Sequence, residues 1–194
     1  GLYRAGAGAG QGLRRCLRGR LMGRIAAIAI LIAALVVGGG VYYFQEYGFY
    51  REVTADLVVT REGGLVQPLA TTGLTAIDAA SSPIRFRACF TSVDLPADAR
   101  PYPGAEPLNA PTWFSCFDAT AIGGALAAGT ARAYLGQENV IWGIDRILAI
   151  TDDGRGYAWH QINACGRELF DGRAAPAGCP PRPEADRPPV STGY

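Results

Sequence analysis

The chain has 194 residues, 49% of them hydrophobic and 10% aromatic, with a formal charge of +1. That is enough for one domain with its own core, and leaves little room for a second. The near-neutral total hides an asymmetry: the first 45 residues hold six Arg and no acid, and the remainder holds twelve Arg against seventeen Asp or Glu. A later part about five units negative argues against nucleic acid as its partner. The chain has no Lys, which we read as a coding bias of a GC-rich genome.

Residues 1–24 read as a basic cytoplasmic arm, carrying Arg4, Arg14, Arg15, Arg18, Arg20 and Arg24. Within it "MGR" at Met22 has the look of a translation start. Residues 1–21 are then either an upstream extension or a true arm, and Arg24 with the amino terminus preserves the charge bias in both cases.

Ile25 to Phe44 follows without a charged side chain. At about 1.5 Å per helical residue it reaches roughly 30 Å, the thickness of a bilayer's hydrocarbon core. The pattern predicts one transmembrane helix over residues 25–44. Arg24 on one side and Tyr42, Tyr43 and Phe44 on the other are the expected membrane-interface anchors, and Tyr47, Phe49 and Tyr50 extend the aromatic collar. The arginine excess predicts a cytoplasmic N-terminus and, in a bacterial inner membrane, a periplasmic remainder. A cleaved signal peptide would have a shorter apolar region followed by small residues. The Arg14–Arg15 pair lacks the context of a twin-arginine signal. An uncleaved anchor is the reading that remains.

Leu and Ile alone would satisfy the lipid, yet Ala29 and Ala33 stand four apart, as do Ala34 and Gly38. Residues four apart share a helix face, and small ones let another helix approach closely. These four are the predicted helix-docking residues, with integral membrane subunits and the bilayer as the partners.

Residues 45–180 read as a small periplasmic α+β domain with antiparallel sheet. The chain is expected to stay helical for a turn or two past Glu46. "ADLVVTREGGLVQPLA" predicts two short strands around a turn at Gly63 and Gly64. "SSPIRFRACFTSV" alternates, with Ile84, Phe86, Ala88 and Phe90 on one side and Arg85, Arg87, Cys89 and Thr91 on the other, and predicts a half-buried strand. "DLPADARPYPGAEPLNAPT" has five Pro in nineteen residues and must be loop. Asp118 or Thr120 then caps a short Ala-rich helix that Gly129 ends. "NVIWGIDRILAI", the turn "TDDGRG" and "YAWHQIN" predict a hairpin. "GRELFDGRAAPAGCPP" reads as one more short strand, a turn and the domain's end. Residues 181–194 are a Pro-rich tail with too few apolar groups to order itself.

Beyond the span lie four Cys: Cys89, Cys116, Cys165 and Cys179. On an oxidising side they imply two disulfides with three connectivities, of which Cys89 with Cys116 and Cys165 with Cys179 are favoured as local in sequence. No C-x-x-C occurs and the chain holds one His, so redox-motif and Cys/His zinc readings lack their residues.

No complete catalytic set appears. His160 has no nucleophile motif near it and reads as a structural strand residue. "TDDGRG" lacks the oxygen pattern of a calcium loop, and "AIGGALAAG" and "GAGAGQG" lack the context of a phosphate loop, the second reading as a flexible arm. A haem attachment motif is missing. Asp145 and Arg146 in "WGIDR" are expected as a surface or interfacial ion pair. No catalytic, metal or cofactor site is therefore assigned.

The ordered blocks "SSPIRFRACF", "FDATAIGGALAAG", "AYLGQENVIWGIDRILAI", "DDGRGYAWHQINACG", "FDG" and "GCPP" resemble those of an uncharacterised family of single-span alphaproteobacterial membrane proteins, some of them labelled histidine kinases. The resemblance runs from about Met22 to Pro181 and implies no activity. Nothing in these residues supports the kinase label, because no ATP-binding domain stands on the cytoplasmic side. The expectation is a non-catalytic accessory or assembly subunit of an inner-membrane complex, an energy-transducing one being an example, docking through its transmembrane helix and its periplasmic domain. The rival is a membrane-anchored sensor or small-ligand module, with Arg85 and Arg87 as its anion contacts.

Overall fold

The computed structural model describes residues 9–92 and 95–183, with the side chains of 9–21 and Ser92 left aside. It divides into two units, residues 1–48 and 49–194.

The first unit is one long helix, α1 (Ala9–Tyr43), that widens into a π-helical turn at Phe44–Gly48. The segment Met22–Gly48 is long and apolar enough to cross a membrane once. The helix begins well before the predicted span, so the expectation of a flexible glycine-rich arm fails from Ala9 onward. Leu13, Arg14, Arg15, Leu17, Arg18 and Leu21 are strong helix formers that outweigh Gly10, Gly12 and Gly19 once the apolar run has nucleated the helix. The wide turn lays the Phe44 ring against Gly48, where an added Cβ would stand 2.6 Å from Phe44 Cδ1. Tyr43 and Tyr47 stack at 6.0 Å.

The second unit is built on a six-stranded antiparallel sheet. Its strands are β1 (Arg51–Glu52), β4 (Thr71–Asp78), β5 (Arg87–Ser92), β6 (Ala131–Ile141), β7 (Ile144–Thr151) and β8 (Arg155–Ile162), in the order β1-β4-β5-β8-β7-β6. β2 (Val58–Thr60) and β3 (Val66–Pro68) pair into a separate two-stranded sheet around the predicted glycine turn. Two helices follow the sheet's loops: α2 (Ala119–Ala128) and α3 (Ala164–Phe170).

Both faces of the large sheet are covered. On one, Phe86, Ala88, Phe90, Leu148 and Ala158 meet Leu57, Val59 and Leu69 of the β2–β3 layer. On the other, Ile77, Cys89, Ile147, Tyr157 and Trp159 meet Phe114, Phe117 and Ile122 of the proline-rich loop's end and α2. The predicted strand begins only at Arg87, and from there to Phe90 it is buried on two faces rather than half-buried. The reason lies in its own sequence: Cys89 is tied to Cys116, and the disulfide pulls the loop and α2 over what would otherwise be a solvent face.

α2 ends as expected. The Asp118 carboxylate accepts from the N–H groups of Thr120 and Ala121, and Gly129 closes the helix in the left-handed conformation. "NVIWGIDRILAI" is not one strand but the β6–β7 turn with its two flanks, Gly143 taking a positive φ of 82°. "GRELF" is helix, not strand. The Asn163 side chain caps it at Gly166 N–H, and Gly166 packs so closely on Gly143 that an added Cβ would lie 2.2 Å from the Gly143 carbonyl oxygen. Cys165–Cys179 and a bond from the Trp142 indole N–H to the Pro180 carbonyl at 2.9 Å tie down the chain that follows. The predicted tail lies outside the described residues from 184 onward.

Candidate functional site

Every described side chain from Met22 to Gly39 is exposed, the four predicted docking residues Ala29, Ala33, Ala34 and Gly38 included. On a helix advancing about 100° per residue the surface divides. Ile25, Ile28, Leu31, Ile32, Leu35 and Val36 gather within an arc of about 140°. Ala26, Ala27, Ala29, Ala33, Ala34, Gly38 and Gly40 occupy the other half, interspersed with Ile30, Val37 and Val41. An added Cβ at Gly38, Gly39 or Gly40 would meet nothing within 4 Å. Among the described residues, no neighbouring element requires these glycines. Arg24, Tyr42, Tyr43 and Phe44 are exposed as well.

One groove of the domain, about 400 Å³, is lined by Glu52, Val53, Leu74, Thr75, Trp113 and Cys116, among others. It follows the outer edge of β4. β1 covers only Ile77 and Asp78, Val53 N–H adds a bond to the Ala76 carbonyl, and Gly73 and Leu74 have no register partner on either side. Both predicted disulfides are present, with Cα separations of 6.3 Å for Cys89–Cys116 and 5.8 Å for Cys165–Cys179. Their settings differ. Cys116 is exposed in the groove, with its sulfur 3.9 Å from the Thr75 hydroxyl, whereas Cys89 is buried in the core.

The two arginines expected to receive an anion are engaged elsewhere. Arg87 is 3% exposed and donates to the backbone carbonyls of Ile84, Phe86, Leu108 and Asn109, with its guanidinium 5.7 Å over the Phe117 ring. Burial pushes its pKa down to about 10. It fastens the proline-rich loop to the sheet. Arg85 lies over the Tyr50 ring at 5.4 Å. The alternation of residues 84–91 gave no hint of this cage, although Cys89 on the face of Arg87 was the available signal. A cysteine in a disulfide needs a covering segment, and an arginine beside it must then find acceptors.

His160 is a structural strand residue, as its lone occurrence suggested. Arg146 Nε donates to its Nε2 at 3.2 Å, and a guanidinium can only donate, so Nε2 accepts and the ring proton sits on Nδ1, given to the Pro83 carbonyl at 2.8 Å. The ring stacks on Phe86 at 4.8 Å, whose other contact is the Arg146 guanidinium at 4.3 Å. Burial above all, with Arg146 and Arg87 nearby, pushes its pKa down to about 4. Both ring nitrogens are occupied in holding the strands.

Asp145 and Arg146 do not form the expected ion pair, because neighbours on a strand point to opposite faces. Asp145 is 5% exposed and accepts from Asn139 N–H, Asn163 Nδ2 and the Tyr102 hydroxyl. Asn139 Oδ1 in turn accepts from Gly143 N–H. This network fixes the β6–β7 turn against the start of α3, and burial together with Asp145 pushes the Tyr102 phenol up. Among the described residues no three His, Cys, Asp or Glu side chains gather to hold a metal.

A second groove, about 260 Å³, lies between α3 and the loop, with Ile84, Leu108, Ile162 and Phe170 as its apolar wall. Both grooves are shallow and open to solvent. Residues 57–180 match the model of a family of unknown function, DUF6446. No curated protein and no solved structure matches the chain.

Proposed function

The chain belongs to that family of unknown function, and we propose that it is a non-catalytic accessory or assembly subunit of an inner-membrane complex. Its N-terminus lies in the cytoplasm and its domain in the periplasm. The arginine excess before the span and the aromatic collar after it support this orientation. The observation that carries the reading is the uneven spread of small residues round the span: one arc bears large aliphatic side chains with Gly39 among them, and the other bears seven Ala and Gly, with Ile30, Val37 and Val41 among them, whose glycines meet no neighbour among the described residues. In lipid, helices associate through close packing rather than through hydrophobic exclusion, and small residues permit it. An energy-transducing complex is one host of this kind.

The domain is consistent with a rigid platform rather than a reaction vessel. Its lone imidazole and its buried Asp145 and Arg87 are all held by internal hydrogen bonds. The sensor reading loses Arg87 as an anion contact for the same reason. Purification of the full chain in mild detergent tests the proposal. Stable integral-membrane companions are expected, and migration as a lone monomer would contradict it.

A further inference from the structure

The settings of Cys89 and Cys116 differ in a way that a purely mechanical crosslink does not need. Cys116 is exposed and lines two openings: the groove beside β4 and a smaller one, about 230 Å³, beside α2. Cys165 and Cys179 are each only partly exposed, and Cys89 is buried. A thiolate arriving from solvent can therefore reach Cys116 and not its partner. The groove leads along the part of β4 that no strand among the described residues covers.

Cys89 is the sulfur left behind: it is buried in the core cluster that holds Phe114, Phe117, Tyr157 and Trp159. In thiol–disulfide exchange the sulfur that is not attacked leaves with the electron pair.

We propose that Cys89–Cys116 is a thiol–disulfide exchange site with fixed polarity. A cysteine thiolate from outside the domain attacks Cys116 Sγ, a new disulfide forms between that thiol and Cys116, the Cys89–Cys116 bond breaks, and its electron pair stays on Cys89 as a thiolate, which takes up the proton that the attacking thiol released. One disulfide is exchanged for another, and no further oxidant or reductant enters. Release of Cys116 also frees the end of the proline-rich loop and the start of α2 from β5. The substrate class is thus a cysteine thiol carried by a peptide or protein.

The test uses the full chain in detergent with Cys16→Ser, which removes the remaining cysteine, and reduced glutathione as the probe. Exchange is quenched with acid and mapped by peptide mass spectrometry. The proposal expects glutathione on Cys116, not on Cys89, and opening of this bond at least tenfold faster than Cys165–Cys179 under native conditions. Glutathione on Cys89, or equal rates for the two bonds, would overturn it. A Cys16→Ser/Cys116→Ser chain supplies an independent reading. With oxidised glutathione, Cys89 in this chain is expected to react at least tenfold more slowly than Cys116 in a Cys16→Ser/Cys89→Ser chain, and equal rates would overturn the proposal.

Discussion

The span and the domain treat their side chains in opposite ways. In the domain, groups that would be expensive to bury alone are each given partners from within: four carbonyls around Arg87, two bonds on His160, three donors on Asp145. In the span, the backbone is satisfied by the helix and the described side chains from Met22 to Gly39 are exposed. A helix that leaves Ala and Gly uncovered along one half gains stability only when something packs there.

The largest expected effect comes from opening the domain's closed side. Arg87→Leu would strip donors from four carbonyls at once and should destabilise the domain by about 4 kcal/mol, read from denaturant unfolding of the full chain. A loss below 1 kcal/mol would mean that the cage is not holding the loop.

Acid attacks the same closed side at His160. Its folded pKa of about 4 lies below the ordinary 6.5, so the fold favours the neutral ring. The associated stability is complete above about pH 6.5 and is lost as pH falls towards 4, by about 3 kcal/mol in all. Asp78, whose pKa burial raises, works in the opposite direction. The difference between the wild type and His160→Asn isolates the histidine. Its dependence on pH should flatten in the variant, which keeps a donor for Pro83.

Gly166→Ala should cost about 2 kcal/mol, because the new methyl group would press on the Gly143 carbonyl across the β6–β7 turn. The drop in melting temperature measures it. Asp118→Ala removes one helix cap and should cost about 1 kcal/mol.

Much of this architecture was legible in the residues, and the failures share a cause. Local chemistry sufficed for the β2–β3 turn at Gly63 and Gly64, the Asp118 and Gly129 caps, the β7–β8 hairpin and both disulfides. Burial of the second face of β5 was not legible, since a period of two says which residues share a face and not whether something covers it. "GRELF" was read as strand because its helix depends on Asn163 and on a glycine contact with the distant Gly143, neither visible in a window of seven residues. β4 escaped notice for a similar reason: "TTGLTAID" is interrupted by Gly73, which has a φ of 62°, and its pairing shifts register there. At the candidate site, the small-residue spacing in the span was visible directly. The exposed setting of Cys116 was not, because it arises from where β1 stops.

The most direct measurement compares the two halves of the span. Tagged full-length chains bearing Ala29→Leu with Ala33→Leu, or Ile28→Leu with Ile32→Leu, would be purified in mild detergent and their companions quantified. The account predicts that integral-membrane companions are lost from the first variant and retained by the second, with domain unfolding the same in both. Equal recovery of companions from both variants, or no companion with the wild type, would contradict it.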